Sequence, residues 1–194
     1  MEILKSWEDR EKIEKVLART DISLANEEIK QKVEGIVHEV RESGDAALLK
    51  YTELFDGVKL SDLKVKPAEI EKAYHLVAPE FLHSLELAAK NITDFHKYQP
   101  VTSWIKNYED GVILGQRYQP IESVGIYVPG GRAPYVSTVL MTAIPAKVAG
   151  VKKVILCTPP SKEGISPYIL AAVKLAGVDE IYQVGGAQAI AALA

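Results

Sequence analysis

The sequence predicts an α/β protein in which a mainly helical N-terminal region of 119 residues precedes a parallel-sheet domain over residues 120–194. Two observations carry that prediction. Between residues 26 and 51 the apolar positions Ile29, Val33, Ile36, Val37, Val40, Ala47, Leu48 and Tyr51 recur at three- and four-residue steps, the period of a helix with one apolar face. Beyond Pro120, short strand-like apolar runs alternate with helical stretches of 10–12 residues. Such alternation demands crossover connections and therefore parallel strands.

Each element has a local reason. The first helical run is broken at Ser43-Gly44-Asp45, which predicts a stop and restart with Asp45 capping the second helix. Phe55-Asp56-Gly57 reads as a turn and Leu63-Lys64-Val65 as a short extended piece. Pro67 stands where a helix over residues 68–77 begins, and a further helix over 80–96 is ended by Gln99-Pro100. Residues 111–118 are rich in strand formers and bounded by a turn, so the period changes there and the boundary falls just after. The second part then reads as strand 124–128, helix 138–149, strand 154–157, helix 167–176, strand 181–184 and a helix starting at Ala187. Ser166 before Pro167 supplies a cap and a favourable first helical residue, and Gly177 closes that helix. Pro145 is expected to bend helix 138–149 near its middle. The chain stops inside an apolar helical pattern with no closing Gly, Asn or basic residue, which predicts the front part of a longer protein, truncated at its C-terminus.

Composition narrows the function classes. At 47% hydrophobic and 25% charged residues the chain is typical of folded globular proteins. Residues 120–194 hold six Lys/Arg against four Asp/Glu, and the first 119 hold seventeen against twenty-two, so no concentrated basic stripe offers itself to nucleic acid. The charged start EILKSWEDREK is unlike a secretion signal, and no apolar run reaches the ~18 residues of a membrane span. A cytoplasmic protein is expected. Cys157, the single cysteine, ends an apolar strand pattern and is expected to be a buried small hydrophobe. The histidines His38, His75, His83 and His96 all fall in the helical part without metal-ligand spacing, so each is expected to be a surface or packing residue.

Ligands of an open parallel sheet bind beyond the carboxyl ends of its strands. The loops there span residues 129–137, 158–165 and 185–186, and two of them carry a Gly-Gly pair directly after a strand. Gly-Gly makes tight turns as readily as it admits a ligand to the backbone. The spacing is not G-x-G-x-x-G, and no acid ends the following strand to hold a ribose, which argues against a standard dinucleotide fingerprint. Tyr127 at the end of its strand and Gln188 in the first turn of the last helix are candidates to orient a nucleotide, with core packing and plain helix formation as the alternatives. Arg132 in the glycine loop is a candidate phosphate or carboxylate partner, or a solvated side chain.

The run VGIYVPGGRAPYVSTVLMTAIPAKVAGVKKVILCTPP, with VGGAQAIAALA, VRESGDAALLKYTELFDG and NITDFHKYQ, closely resembles the histidinol dehydrogenase family over essentially the whole chain. One local departure is Pro134-Tyr135-Val136, where many relatives place the proline after the aromatic residue. The resemblance implies a homodimeric enzyme that oxidises L-histidinol to L-histidine through the aldehyde, in two NAD-linked steps with zinc. It implies incomplete Rossmann-like domains, with residues 120–194 forming part of the NAD crevice and residues 1–119 the mainly helical part of another incomplete domain. The family's NAD-contacting tyrosine and glutamine fall on Tyr127 and Gln188. Its zinc ligands and catalytic Glu-His pair belong to motifs C-terminal to AQAIAAL, so no catalytic and no metal-binding residue is expected in this chain, which alone should be inactive. Two alternatives stand beside this reading: part of a related zinc- and NAD-dependent dehydrogenase acting on another polar alcohol, and a non-catalytic assembly module.

Overall fold

The computed structural model describes residues 8–18, 27–99, 101–130 and 133–194. The chain begins with helices α1 (Arg10–Ala18), α2 (Glu27–Ser43), α3 (Asp45–Asp56), α4 (Pro67–Leu76) and α5 (Pro79–His96). A hairpin of β1 (Trp104–Asn107) and β2 (Ile113–Gln116) follows. The remainder alternates as β3 (Ser123–Tyr127), α6 (Val136–Val148), β4 (Lys153–Thr158), α7 (Pro167–Ala176), β5 (Glu180–Gln183) and α8 (Gly186–Leu193). The fold is thus the mixed α/β arrangement expected, helical first and parallel-stranded after.

Strands β3, β4 and β5 pair in parallel in that spatial order, with Tyr127 opposite Cys157 and Cys157 opposite Tyr182. The extended piece around Lys64 lies antiparallel along the outer edge of β5. Val65 N–H donates to the Ile181 carbonyl at 2.9 Å and Gln183 N–H to the Leu63 carbonyl at 2.7 Å. Lys64 and Lys153 both pair with Glu180, at 2.9 and 3.2 Å, and hold its carboxyl down at about 2.

The pleat sends alternate residues of the sheet into two cores. On one face Ile126, Val154, Leu156 and Ile181 meet Val139, Leu140, Ala143 and Ile144 of α6 and residues 169–173 of α7, with Ala73 of α4 and Leu85 of α5 closing the layer. On the other, Cys157 and Val184 meet Val40 of α2, Ala47, Leu48 and Tyr51 of α3, and Ala189 of α8. Cys157 is buried as expected, and burial pushes its thiol up to about 11, so it stays protonated and acts as a packing group. Gly125 has a steric reason: a Cβ there would stand 2.8–2.9 Å from Leu193, so α8 lies directly on β3 only because the side chain is missing.

Several local expectations need correction. Asp45 does not cap α3; it is the first helical residue, behind Gly44 at φ +53°, and no side chain caps the helix. Ser166 occupies the position before α7 but makes no capping hydrogen bond, whereas Pro167 begins the helix and left-handed Gly177 closes it as expected. Helix α6 runs Val136–Val148, which puts Pro145 in its last turn rather than its middle. Ile29 and Val33 at the head of α2 are exposed, because the face buries only farther along, at Val40. Strand β1 was not foreseen; its four residues are all exposed and show no alternation.

Candidate functional site

A cleft of about 530 Å³ opens at the carboxyl ends of β3, β4 and β5. Its floor is Tyr127, Pro129, Gly130, Thr158, Pro159 and Gly186, one group from the end of each strand, and Tyr135 and Ser166 stand on its walls. The loop after β4 is tied to itself by the Ser161 hydroxyl, which donates to the Gly164 carbonyl at 2.6 Å and accepts from Glu163 N–H. The glycine pairs have a packing explanation that spacing did not give. A Cβ on Gly130 or on Gly185 would each stand 2.6 Å from the Pro159 ring, so the three loops close on one another around that proline. Gly131 and Arg132 lie outside the described residues.

Tyr127 lines the cleft, and its phenol oxygen accepts a long hydrogen bond, 3.4 Å, from the Gly186 N–H at the start of α8. That leaves the phenol proton to donate elsewhere. Gln188, one turn into the same helix, is wholly buried and does not line the cleft. Its carboxamide lies against Gly186, where a Cβ would meet Oε1 at 2.5 Å, and Gly186 itself sits at φ +65°. Both carboxamide atoms lack a hydrogen-bond partner. Tyr127 and Gln188 therefore both lie against one residue, Gly186, Tyr127 lining the cleft and Gln188 wholly buried.

The sequence did not single out Asp56, which the structure sets into the wall of the same cleft. It is the last residue of α3, its Oδ2 is buried without a partner, and burial pushes its carboxyl up from the ordinary aspartate value. Among the described residues, the buried side-chain oxygens and nitrogens without a hydrogen bond are Thr52 Oγ1, Asp56 Oδ2 and the two Gln188 atoms. All sit on α3 and α8, which pack against each other. The histidines do not join them: His38, His75 and His83 are exposed, and His75 pairs with Glu71 at 3.3 Å. Among the described residues no three His, Cys, Asp or Glu side chains converge where a metal ion would sit.

Against known proteins, a family model described as histidinol dehydrogenase matches residues 19–194. The histidinol dehydrogenase of a Listeria monocytogenes strain is 51% identical over 167 residues, covering 86% of this chain and 39% of the relative. That of Geobacillus kaustophilus is 52% identical over 180 residues, covering 92% and 42%. Among solved structures, the crystal structure of histidinol dehydrogenase from Elizabethkingia anophelis superposes with a TM-score of 0.80 at 42% identity, over 84% of this chain and 38% of that one. The chain spans about two fifths of the length of the relatives it matches.

Proposed function

The chain belongs to the histidinol dehydrogenase family, and from that premise we propose that it supplies scaffold and part of the cofactor crevice of an NAD- and zinc-dependent oxidoreductase. The reaction we assign to the whole enzyme is oxidation of L-histidinol to L-histidine in two NAD-linked steps, in a cytoplasmic homodimer. Residues 120–194 are the incomplete Rossmann-like part that forms the crevice, and residues 1–119 the mainly helical part of a further incomplete domain. Tyr127 is the cofactor contact at the cleft surface, and Gln188 is the cofactor residue behind it, its unpartnered carboxamide buried against Gly186.

One observation carries this reading: Tyr127, the Gly186 amide and the first turn of α8 meet at a cleft on the carboxyl edge of a parallel sheet. NAD, when bound, supplies the hydride acceptor. This chain's residues bind and orient. The N-terminal end of α8 favours a negatively charged pyrophosphate, Tyr127 keeps a proton to donate, and the Gln188 carboxamide keeps two donors and an acceptor unused. Among the described residues no three His, Cys, Asp or Glu side chains come together as a ligand set for zinc. The exposed apolar side chains of the hairpin, Trp104, Ile105, Ile113 and Leu114, support a surface covered by more protein in the assembled enzyme. Among the described residues no helix is long and apolar enough to cross a membrane.

Calorimetric titration of the chain with NAD tests the assignment. Weak, saturable binding is expected, with Tyr127→Ala weakening it about tenfold, the worth of a lost hydrogen bond and ring contact. Absence of NAD binding would overturn the cofactor role. In the presence of zinc, NAD and histidinol the chain alone is expected to produce no reduced cofactor; zinc-dependent turnover with metal retained after dialysis would overturn its assignment as a non-catalytic part.

A further inference from the structure

We propose that Asp56 is the ribose anchor of the cleft: its carboxylate accepts hydrogen bonds from the vicinal hydroxyls of a nucleotide bound against Tyr127 and the start of α8. The inference rests on the cofactor reading above and names a residue for it that comes from the helical part of the chain, not from the sheet.

Three observations converge. First, Asp56 breaks a local rule. A carboxylate in the last turn of a helix faces the negative end of the macrodipole, and α3 has no basic residue in its last turn to offset it. Second, its Oδ2 is buried with no hydrogen-bond partner, a state that costs stability and calls for an explanation in a folded protein. Residues kept against local preference concentrate at sites of function. Third, the same residue lines the cleft together with the loops that follow β3 and β4 and the start of α8.

The chemistry of the ligand follows from the company Asp56 keeps. Among the described residues lining the cleft it is the only charged one, so a metal ion would find a single carboxylate where two or three oxygen or nitrogen donors are the usual minimum. The start of α8, on the floor of the same cleft, favours a negative group. A ligand that satisfies an acid on one wall and a helix N-terminus on the floor carries neutral hydroxyl donors beside an anion. A ribose next to a phosphate has that arrangement. The position also explains how the chain dispenses with an acid at the end of the second strand: Thr158 ends β4, and the acid arrives instead from the end of α3.

Asp56→Asn keeps the shape and removes the charge. With the whole chain, titrate NAD, ADP-ribose and inorganic pyrophosphate by calorimetry, and AMP, 2′-deoxy-AMP and nicotinamide mononucleotide by ligand-observed NMR, alongside thermal unfolding. The expected result is NAD and ADP-ribose weakened about 10- to 100-fold, the worth of hydrogen bonds to a charged group. Pyrophosphate binding stays as it was, and the melting temperature is unchanged or raised. Wild-type preference for AMP over 2′-deoxy-AMP that vanishes in Asp56→Asn puts the anchor on the adenosine ribose. A loss confined to nicotinamide mononucleotide puts it on the other ribose. Asp56→Ala should reproduce the binding loss. If wild type binds NAD and Asp56→Asn binds it equally, the anchor is overturned while the cofactor reading stands. If the variants lose stability and pyrophosphate affinity together, Asp56 is structural and the proposal fails. If wild type binds no nucleotide, the cofactor reading itself falls and takes the anchor with it.

Discussion

On the face of the sheet covered by α4, α5, α6 and α7, the helices bury only apolar side chains, from Ala73 through Val139 to Val173. The helices across the sheet bury Thr52 and Gln188 beside Leu48 and Val184, and leave polar atoms of Thr52, Asp56 and Gln188 without partners. The same three strands serve both faces, so the contrast lies in what each set of helices brings. One side is packed to hold the fold together. The other carries unsatisfied polar groups within a short reach of the cleft, which costs stability and leaves hydrogen-bonding capacity for a ligand.

The sharpest way to break this division is to damage the apolar side and ask whether the cleft survives. Leu156 is fully buried in β4, pointing into the α6–α7 core. Leu156→Ala should cost about 2–5 kcal/mol of stability by urea unfolding, through lost burial and a cavity. NAD affinity of the fraction still folded should change little, because β4 delivers its loop to the cleft through backbone pairing with β3 and β5.

A change at Gly125 acts on the other side. Gly125→Ala drives a methyl into Leu193 and must lift α8. Overpacking of this kind costs about 1–3 kcal/mol. Since α8 begins at the cleft, this variant should weaken NAD binding as well as stability, unlike Leu156→Ala.

The smallest effect concerns pH at the sheet edge. Glu180 ionises in the folded chain at about 2 rather than its ordinary 4.5, because Lys64 and Lys153 hydrogen-bond its carboxylate. A folded-state value below the unfolded one contributes stability that is present above 4.5 and lost as the pH falls toward 2. The gap in melting temperature between wild type and Glu180→Gln should therefore be widest above pH 4.5 and shrink to nothing near pH 2. A gap constant across that range would show that the pairs at this edge carry no pH-linked stability. NAD binding should ignore the substitution, since Glu180 does not line the cleft.

Much of the fold was legible because its signals are local. Pro67 and Pro167 open their helices, Gly177 ends one in the left-handed region, and the strand–helix alternation after Pro120 yields the parallel sheet. Strand β1 was not legible: both strands of the hairpin are exposed throughout, and Trp104 to Asn107 lack the turn-bounded run of strand formers that marks residues 111–118. Nor was the role of the glycine pairs, since Gly130 and Gly185 answer to Pro159, a residue on a third loop. The site was half visible. Tyr127 and Gln188 stand next to recognisable strand and helix boundaries, but that Gln188 lies buried against Gly186 rather than in the cleft depends on the helix axis. Asp56 looked like part of a turn because the cleft it lines is built by residues more than seventy positions later.

The division between a stabilising face and a binding face meets its most direct test at Gln188. Gln188→Met keeps the length of the side chain and removes both unpartnered carboxamide atoms. Urea unfolding and NAD titration on the same preparations should give opposite signs: stability raised by about 1 kcal/mol, because buried polar groups without hydrogen bonds disappear, and NAD affinity reduced about tenfold. A variant that loses stability while binding NAD as well as wild type would contradict the account, and would make Gln188 an ordinary part of the core.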